Sequence, residues 1–370
     1  MLVSMEISDK DRNYVDLMRG ISITRVVLVH LGLSWFYPPY SQFINVFLPV
    51  LFFVSGGVTF FSFKRATNIS TFLSNRLISI FVPYLLIIGI SFLTLWLYQL
   101  SVPSFNLSSI VSWITFNPTA VRDTMPYPLG QVWFLHALVL IIITAPITFT
   151  LAIKNPFWLL VPVLISITLG LVQHFFDIGR NMFLLSHNLY QPLVNMGFFM
   201  LGAFFYTYKH WFTTRKNLLF MVFFLCMGVL SGILQPQDML MSKHTYAPDF
   251  YYLMCSFSAI FLFLTMQDPI TWICEKIKPL KIFFLFISKH SYCVFLLHSL
   301  VLIKIHTWFE LDNVIEDPKK AFIKIVLVLF FTCVLAYPFS LLAAKITKWV
   351  KPKLMKKNQP AHSGMGPSVK

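Results

Sequence analysis

Apolar runs of about 20 residues recur along the whole chain, divided by short polar stretches, and leave it few folds to choose from. A helix rises ~1.5 Å per residue, so a run of about 20 crosses the hydrocarbon of a bilayer with its backbone hydrogen bonds satisfied internally. Ten such runs can be read, at 17–36, 43–62, 74–98, 131–152, 157–176, 190–208, 217–234, 250–267, 283–304 and 321–344. The ninth is interrupted by Ser288, Lys289, His290 and Ser291, a pattern that suits a short helix followed by a shorter span. The expected fold is all-α: a polytopic membrane protein with about ten transmembrane helices. Only 12% of the residues are charged, against roughly 25% in a soluble domain, and this removes the soluble classes.

The charge is unevenly placed. Lys64, Arg65, Arg76, Lys154, Lys209, Arg215, Lys216, Lys276, Lys278 and Lys281 follow the even-numbered runs, and a basic tail follows the tenth. The opposite loops hold fewer, namely Arg122, Arg180, Lys243, Lys304, Lys319 and Lys320. Positive charge marks the cytoplasmic side, so both termini are expected there. The net charge of +15 is thus orientation in a membrane, and no motif points to nucleic acid. Residues 1–16 read as a cytoplasmic segment, 17–345 as the membrane domain and 346–370 as a disordered basic tail near anionic lipid. The loop at 99–130 could fold over the membrane as a lid. No A-x-A site follows the first run, so that span is expected to stay in the protein. The five cysteines show no paired metal spacing and read as small apolar residues; no metal is expected.

The first run carries groups that lipid disfavours: Arg19, Arg25 and His30. Arg19 and His30 are eleven residues apart, three turns plus about 20°, and so share one helix face about 16 Å apart along the axis. Arg25 lies about 240° round from Arg19 and faces elsewhere. The ordinary reading is that Arg19 snorkels to the interface and that His30 bonds to a neighbouring helix. The functional reading is a polar cavity with a cationic mouth for an anionic donor and an imidazole for proton chemistry. Ser55, Gly56 and Gly57 sit within an apolar run and suit close helix packing. Arg76 opens a helix that contains Pro83. Trp133 and His136 fall at an outer boundary, where an aromatic belt is usual. Ser291 and His298 lie seven residues apart, nearly on one face, and His298 is either a second functional imidazole or a tie between helices.

On these residues the chain resembles the membrane acyltransferase-3 family of bacterial O-acyltransferases. The first-span pattern is met by Asp16, Arg19, Gly20 and His30; the "FF-x-x-SG" pattern by Phe52, Phe53, Ser55 and Gly56. Arg76 with Pro83, Trp133-Phe134-Leu135, and Ser291, Tyr292, Leu296 and His298 match later motifs, with Phe295 in place of the usual Tyr. Many members carry a second Arg soon after the first of the third span; here Ser79 and Ile80 stand in that region. Some also carry an extra hydrolase-like domain, and none is expected here.

The resemblance implies acyl transfer from acyl-CoA, most commonly acetyl-CoA, to a hydroxyl of a cell-surface polysaccharide or lipid-linked sugar, in a bacterial cytoplasmic membrane. Arg19 and Arg76 are the expected donor-binding residues. His30, Arg19 and His298 are the catalytic candidates, with Asp16, Ser55, Trp133 and Ser291 as further site residues. A transporter or flippase of a lipid-linked glycan is the alternative, since ten helices around a partly cationic pathway would suit it too.

Overall fold

The computed structural model of the chain describes residues 8–32, 40–97, 107–117, 131–184, 187–234, 240–311 and 317–357. The long helices are α1 (Asp9–His30), α2 (Pro49–Arg65), α3 (Ile69–Leu97), α5 (Val132–Lys154), α6 (Leu160–Phe176), α7 (Tyr190–Thr207) and α8 (Thr214–Leu234), then α10 (Phe250–Thr265), α13 (Ser291–Phe309) and α14 (Pro318–Lys357). Shorter helices are α4 (Leu107–Ile114), α9 (Met241–His244), α11 (Gln267–Lys276) and α12 (Lys278–Lys289). Phe183–Leu184 and His187–Asn188 form one short antiparallel ladder. Within the described residues each expected run is helical, and the ninth divides at His290 into α12 and α13, as its polar interruption suggests.

Among the described residues, seven helices are long and apolar enough to cross a membrane, or eight if α10 and α11, bent by 57°, make one span. Neither α1 nor α7 is among them. Their polar residues are tolerated because protein, not lipid, surrounds them: α7 is buried along almost its whole length, and α1 buries Tyr14, Met18, Ile23 and Val27. Ser8 caps α1 by accepting from the Asp11 N–H at 3.2 Å, and Asp9 and Asp11 suit the positive end of its dipole.

Small residues set the closest crossings. A Cβ on Gly56 of α2 would collide with the Phe199 carbonyl of α7, and one on Gly202 of α7 with the Phe53 carbonyl of α2. The backbones therefore meet reciprocally, as expected for membrane helices held by packing rather than by exclusion of water. Gly20 does the same for α1 against the Phe284 carbonyl of α12. The core sits around these crossings, with Phe52, Phe53, Phe198 and Phe199 fully buried.

One end of the bundle is closed by polar contacts. Asp249, the N-cap of α10, accepts from the Tyr252 N–H at 3.0 Å and contacts Nδ1 of His244 at 3.0 Å and of His174 at 3.3 Å. Tyr190 donates to the Pro248 carbonyl and Gln191 to that of Tyr246, so the stretch before α10 is tied down over α6 and α7. Of the expected 99–130 lid, only 107–117 falls within the described residues. It folds back on α3, with Trp113 and Phe116 buried and the Tyr84 hydroxyl donating to the Trp113 carbonyl at 2.9 Å. The last helix continues to Lys357, past the expected start of the disordered tail at 346; residues 358–370 lie outside the described part.

Candidate active site

α1 supplies one wall of the site. Arg19, Ile23, Val26 and His30 succeed one another along a single face, and each lines a cavity. Arg19 Nη1 donates to Asp16 Oδ1 at 3.1 Å, and the same oxygen accepts from the Ser288 hydroxyl of α12 at 3.1 Å. Asp16 thus fixes the guanidinium and is itself braced from a second helix.

Arg19 opens onto a cavity of ≈ 340 Å³ that also takes Ser55 of α2, Arg76 of α3, Phe134 of α5, and Ser291 and Phe295 of α13. Arg76 is held by the Ser62 hydroxyl at 2.5 Å and the Val58 carbonyl at 3.4 Å. A second cavity, of ≈ 140 Å³, is lined by His30, Arg25, Asn45, Gln131 and Trp133. Phe134 and Phe295 line both, their ring centroids 5.3 Å apart, and Phe52 packs on Phe134 at 4.7 Å. An aromatic partition therefore separates the cationic chamber from the histidine chamber. A third cavity, of ≈ 490 Å³, shares Val58, Arg76 and Ser79 with the cationic chamber and adds Arg65 and Lys351. The three lie in series.

His30 is exposed, and its Nδ1 lies 3.2 Å from His298 Nε2. His298 is fully buried, with Nδ1 2.7 Å from the Phe295 carbonyl. A carbonyl can only accept, so His298 carries its proton on Nδ1. With both rings neutral, His298 Nε2 must accept from His30 Nδ1–H. The His30 Nε2 is left with a lone pair, the form a general base needs.

The structure brings all the expected site residues to this series. Arg19, Ser55, Arg76 and Ser291 share one chamber; Trp133 and His30 share the next; His298 and Asp16 touch His30 and Arg19 respectively. Trp133, one of the expected site residues, lines the His30 cavity. His136 is buried, with Nε2 3.2 Å from the Asn188 carbonyl and Nδ1 3.2 Å from His187 Nδ1, so it ties α5 to the short ladder. Gly56 packs as expected, whereas its neighbour Ser55 faces the chamber.

The acyltransferase-3 family model, described as an acyltransferase domain, matches residues 12–351. The chain belongs to the acyltransferase-3 family. It is a multi-pass membrane acyltransferase, and the matched residues take in all three cavities. No curated protein and no solved structure matches the chain.

Sequence reasoning about this acyltransferase missed Arg25, Arg65 and Lys351. Arg25 is buried, donates to the Ile44 carbonyl and, at 3.0 Å, to Asn45 Oδ1, and so anchors the Tyr40–Phe47 segment beside His30. Its offset from Arg19 was visible in the periodicity, but the partner it faces was not. Arg65 ends α2, where a basic residue reads as an orientation signal, and Lys351 falls within the expected basic tail but belongs to α14. Among the described residues no group of three or more His, Cys, Asp or Glu is placed to hold a metal ion.

Proposed function

We propose that this acyltransferase moves an acyl group, acetyl being the first to test, from acyl-CoA to a hydroxyl of a cell-surface polysaccharide or lipid-linked sugar. The membrane would be the bacterial cytoplasmic membrane, with both termini cytoplasmic. The observation that carries this reading is the pair of adjoining chambers, one holding two arginines and the other a histidine with a free Nε2, separated by Phe134 and Phe295. Arginine suits the phosphates of CoA because its planar fork makes charge-assisted bonds to phosphate oxygens. The pantetheine arm then follows the α1 face towards the partition. The acceptor hydroxyl gives its proton to His30 Nε2 as its oxygen attacks the thioester carbonyl. The new C–O bond forms, the C–S bond breaks, and the proton passes to the leaving thiolate. His298 and Asp16 are positioning residues, since each touches a catalytic or binding residue.

The test uses purified protein in detergent, with no sealed compartment. Given acetyl-CoA and glycan acceptor, it should release free CoA and transfer one acetyl group per CoA, read by mass spectrometry of the glycan. Absence of CoA release with every surface glycan of the source cell would defeat the reading, and would be the result expected of a transporter.

A further inference from the structure

The cavity at the start of the series holds three cations from three separate elements. Arg65 comes from the last turn of α2, Arg76 from α3 and Lys351 from the C-terminal part of α14, and among the described residues no carboxylate lines the cavity. Its other polar walls are Ser62, Thr67, Thr71, Asn75 and Ser79, side chains of types that can donate hydrogen bonds. The plain explanation of such residues is orientation and helix-end charge. Arg65 fits it in part, since its Nε reaches back to the Phe61 carbonyl at 3.4 Å. That explanation would let each cation seek water separately. Here they converge on one concavity of ≈ 490 Å³, where like charges repel unless an anion lies between them. α14 is 40 residues long, ~60 Å, about twice what the hydrocarbon needs, and its extra turns carry Lys351 to this place.

We infer that this cavity is a polyphosphate site, in which Arg65 and Lys351 join Arg76 to hold the nucleotide end of the acyl donor. The inference rests on the donor being a CoA thioester, as proposed above. The chemistry fits a ligand with several phosphates close together, and CoA carries a diphosphate and a 3′-phosphate. The shared lining of Val58, Arg76 and Ser79 then passes the rest of the donor into the Arg19 chamber. An anionic lipid headgroup offers the same phosphate chemistry with fewer charges, and the test separates the two.

The full-length protein is placed in nanodiscs of phosphatidylcholine alone, and binding of CoA and of pantetheine is measured by calorimetry for wild type, Arg65→Ala, Lys351→Ala and Lys351→Arg. Each alanine variant should bind CoA about tenfold more weakly, as expected for one lost charge-assisted phosphate contact. Pantetheine affinity should not change, Lys351→Arg should recover CoA binding, and added salt should weaken wild type more than the variants. Arg65 is exposed and Lys351 partly exposed, and a monodisperse gel-filtration profile checks folding. Unchanged CoA affinity in both alanine variants, or no CoA binding by wild type, overturns the inference. So does a variant effect seen only when phosphatidylglycerol is added, which would assign the cations to lipid. If CoA binding follows Arg65 and Lys351 but no acyl transfer is found, the phosphate site stands and the proposed reaction falls. If transfer proceeds with unchanged KM for acetyl-CoA in both variants, the reaction stands and this site falls.

Discussion

The two histidines differ in what they can exchange with a substrate. His30 has a free Nε2 beside a cavity, whereas both nitrogens of His298 are taken, one by the Phe295 carbonyl and one by His30. His30→Gln should therefore lower acyl transfer about 10²–10⁴-fold while leaving CoA binding intact, the loss typical of a missing general base. His298→Gln keeps a donor for Phe295 and an acceptor for His30, so it should retain more activity than His298→Leu. The leucine variant leaves His30 Nδ1–H without its partner and should lose about tenfold or more. Steady-state rates on the same acceptor check all three, and a near-normal His30→Gln beside a dead His298→Gln would reverse the assignment. Arg19 and His30 could be paired from the sequence because helical periodicity puts them on one face. Their partners could not. His298 lies 268 positions away and meets His30 only through the packing of α13 against α1, which no local pattern records.

Glycine has opposite consequences in two helices that read alike. Gly202 of α7 faces the Phe53 carbonyl so closely that a Cβ cannot be fitted, whereas a Cβ on Gly89 of α3 meets nothing within 4 Å. Gly202→Ala should destabilise by about 1–3 kcal/mol through overpacking, and Gly89→Ala should be neutral or stabilising by up to about 1 kcal/mol through helix propensity. Thermal unfolding of the two variants in one detergent tests the contrast; a larger loss at Gly89 would contradict the α2–α7 crossing. The segment before α10 depends on charge instead. Burial alone would raise the pKa of Asp249, but bonds from His244, the Tyr252 N–H and His174 outweigh it and hold the carboxyl below the usual carboxylate range. A lowered folded pKa stabilises above the unfolded value near 3.9 and is lost as pH falls through the folded one. Asp249→Asn should thus cost about 1–3 kcal/mol at neutral pH, with the gap to wild type closing as the pH is brought below about 4. A gap that does not narrow in acid would show that the carboxylate charge is not what holds the segment. The helices themselves were plain from runs of apolar residues. This segment was not, because His174 lies in an apolar run while His244 and Asp249 lie in a distant loop, and no local pattern brings them together.

The bundle has two ends of unlike character. The mouth is cationic, and Lys10–Asp268 and Lys209–Asp11 pairs join helix ends on the side where α1 begins. The other end is closed by Asp249 and its histidines. Cysteines placed at 66–68 or beyond 357 should be shielded from an impermeant reagent added outside intact cells, and those at the exposed positions 243 and 246 should react; outside labelling of the tail would invert the orientation proposed for the protein. The apolar runs and the basic alternation could be read in advance, since both are carried by composition along one dimension, but of ten expected spans only seven or eight described helices are apolar enough to cross. The order of the cavities could not, for it depends on which side chains two non-adjacent helices present to the same space. Phe134 and Phe295 show this well: each is one more phenylalanine in a chain with 40 of them. Yet a protein that hands a group from one compartment to another must not also be a hole between them. Protons and ions leaking through such a path would drain the membrane potential that the cell lives on. In the transfer proposed above, the tilted rings of Phe134 and Phe295 at the junction of the chambers give the path an electrical seal, so that the thioester arm can reach the histidine while the bilayer around it stays charged.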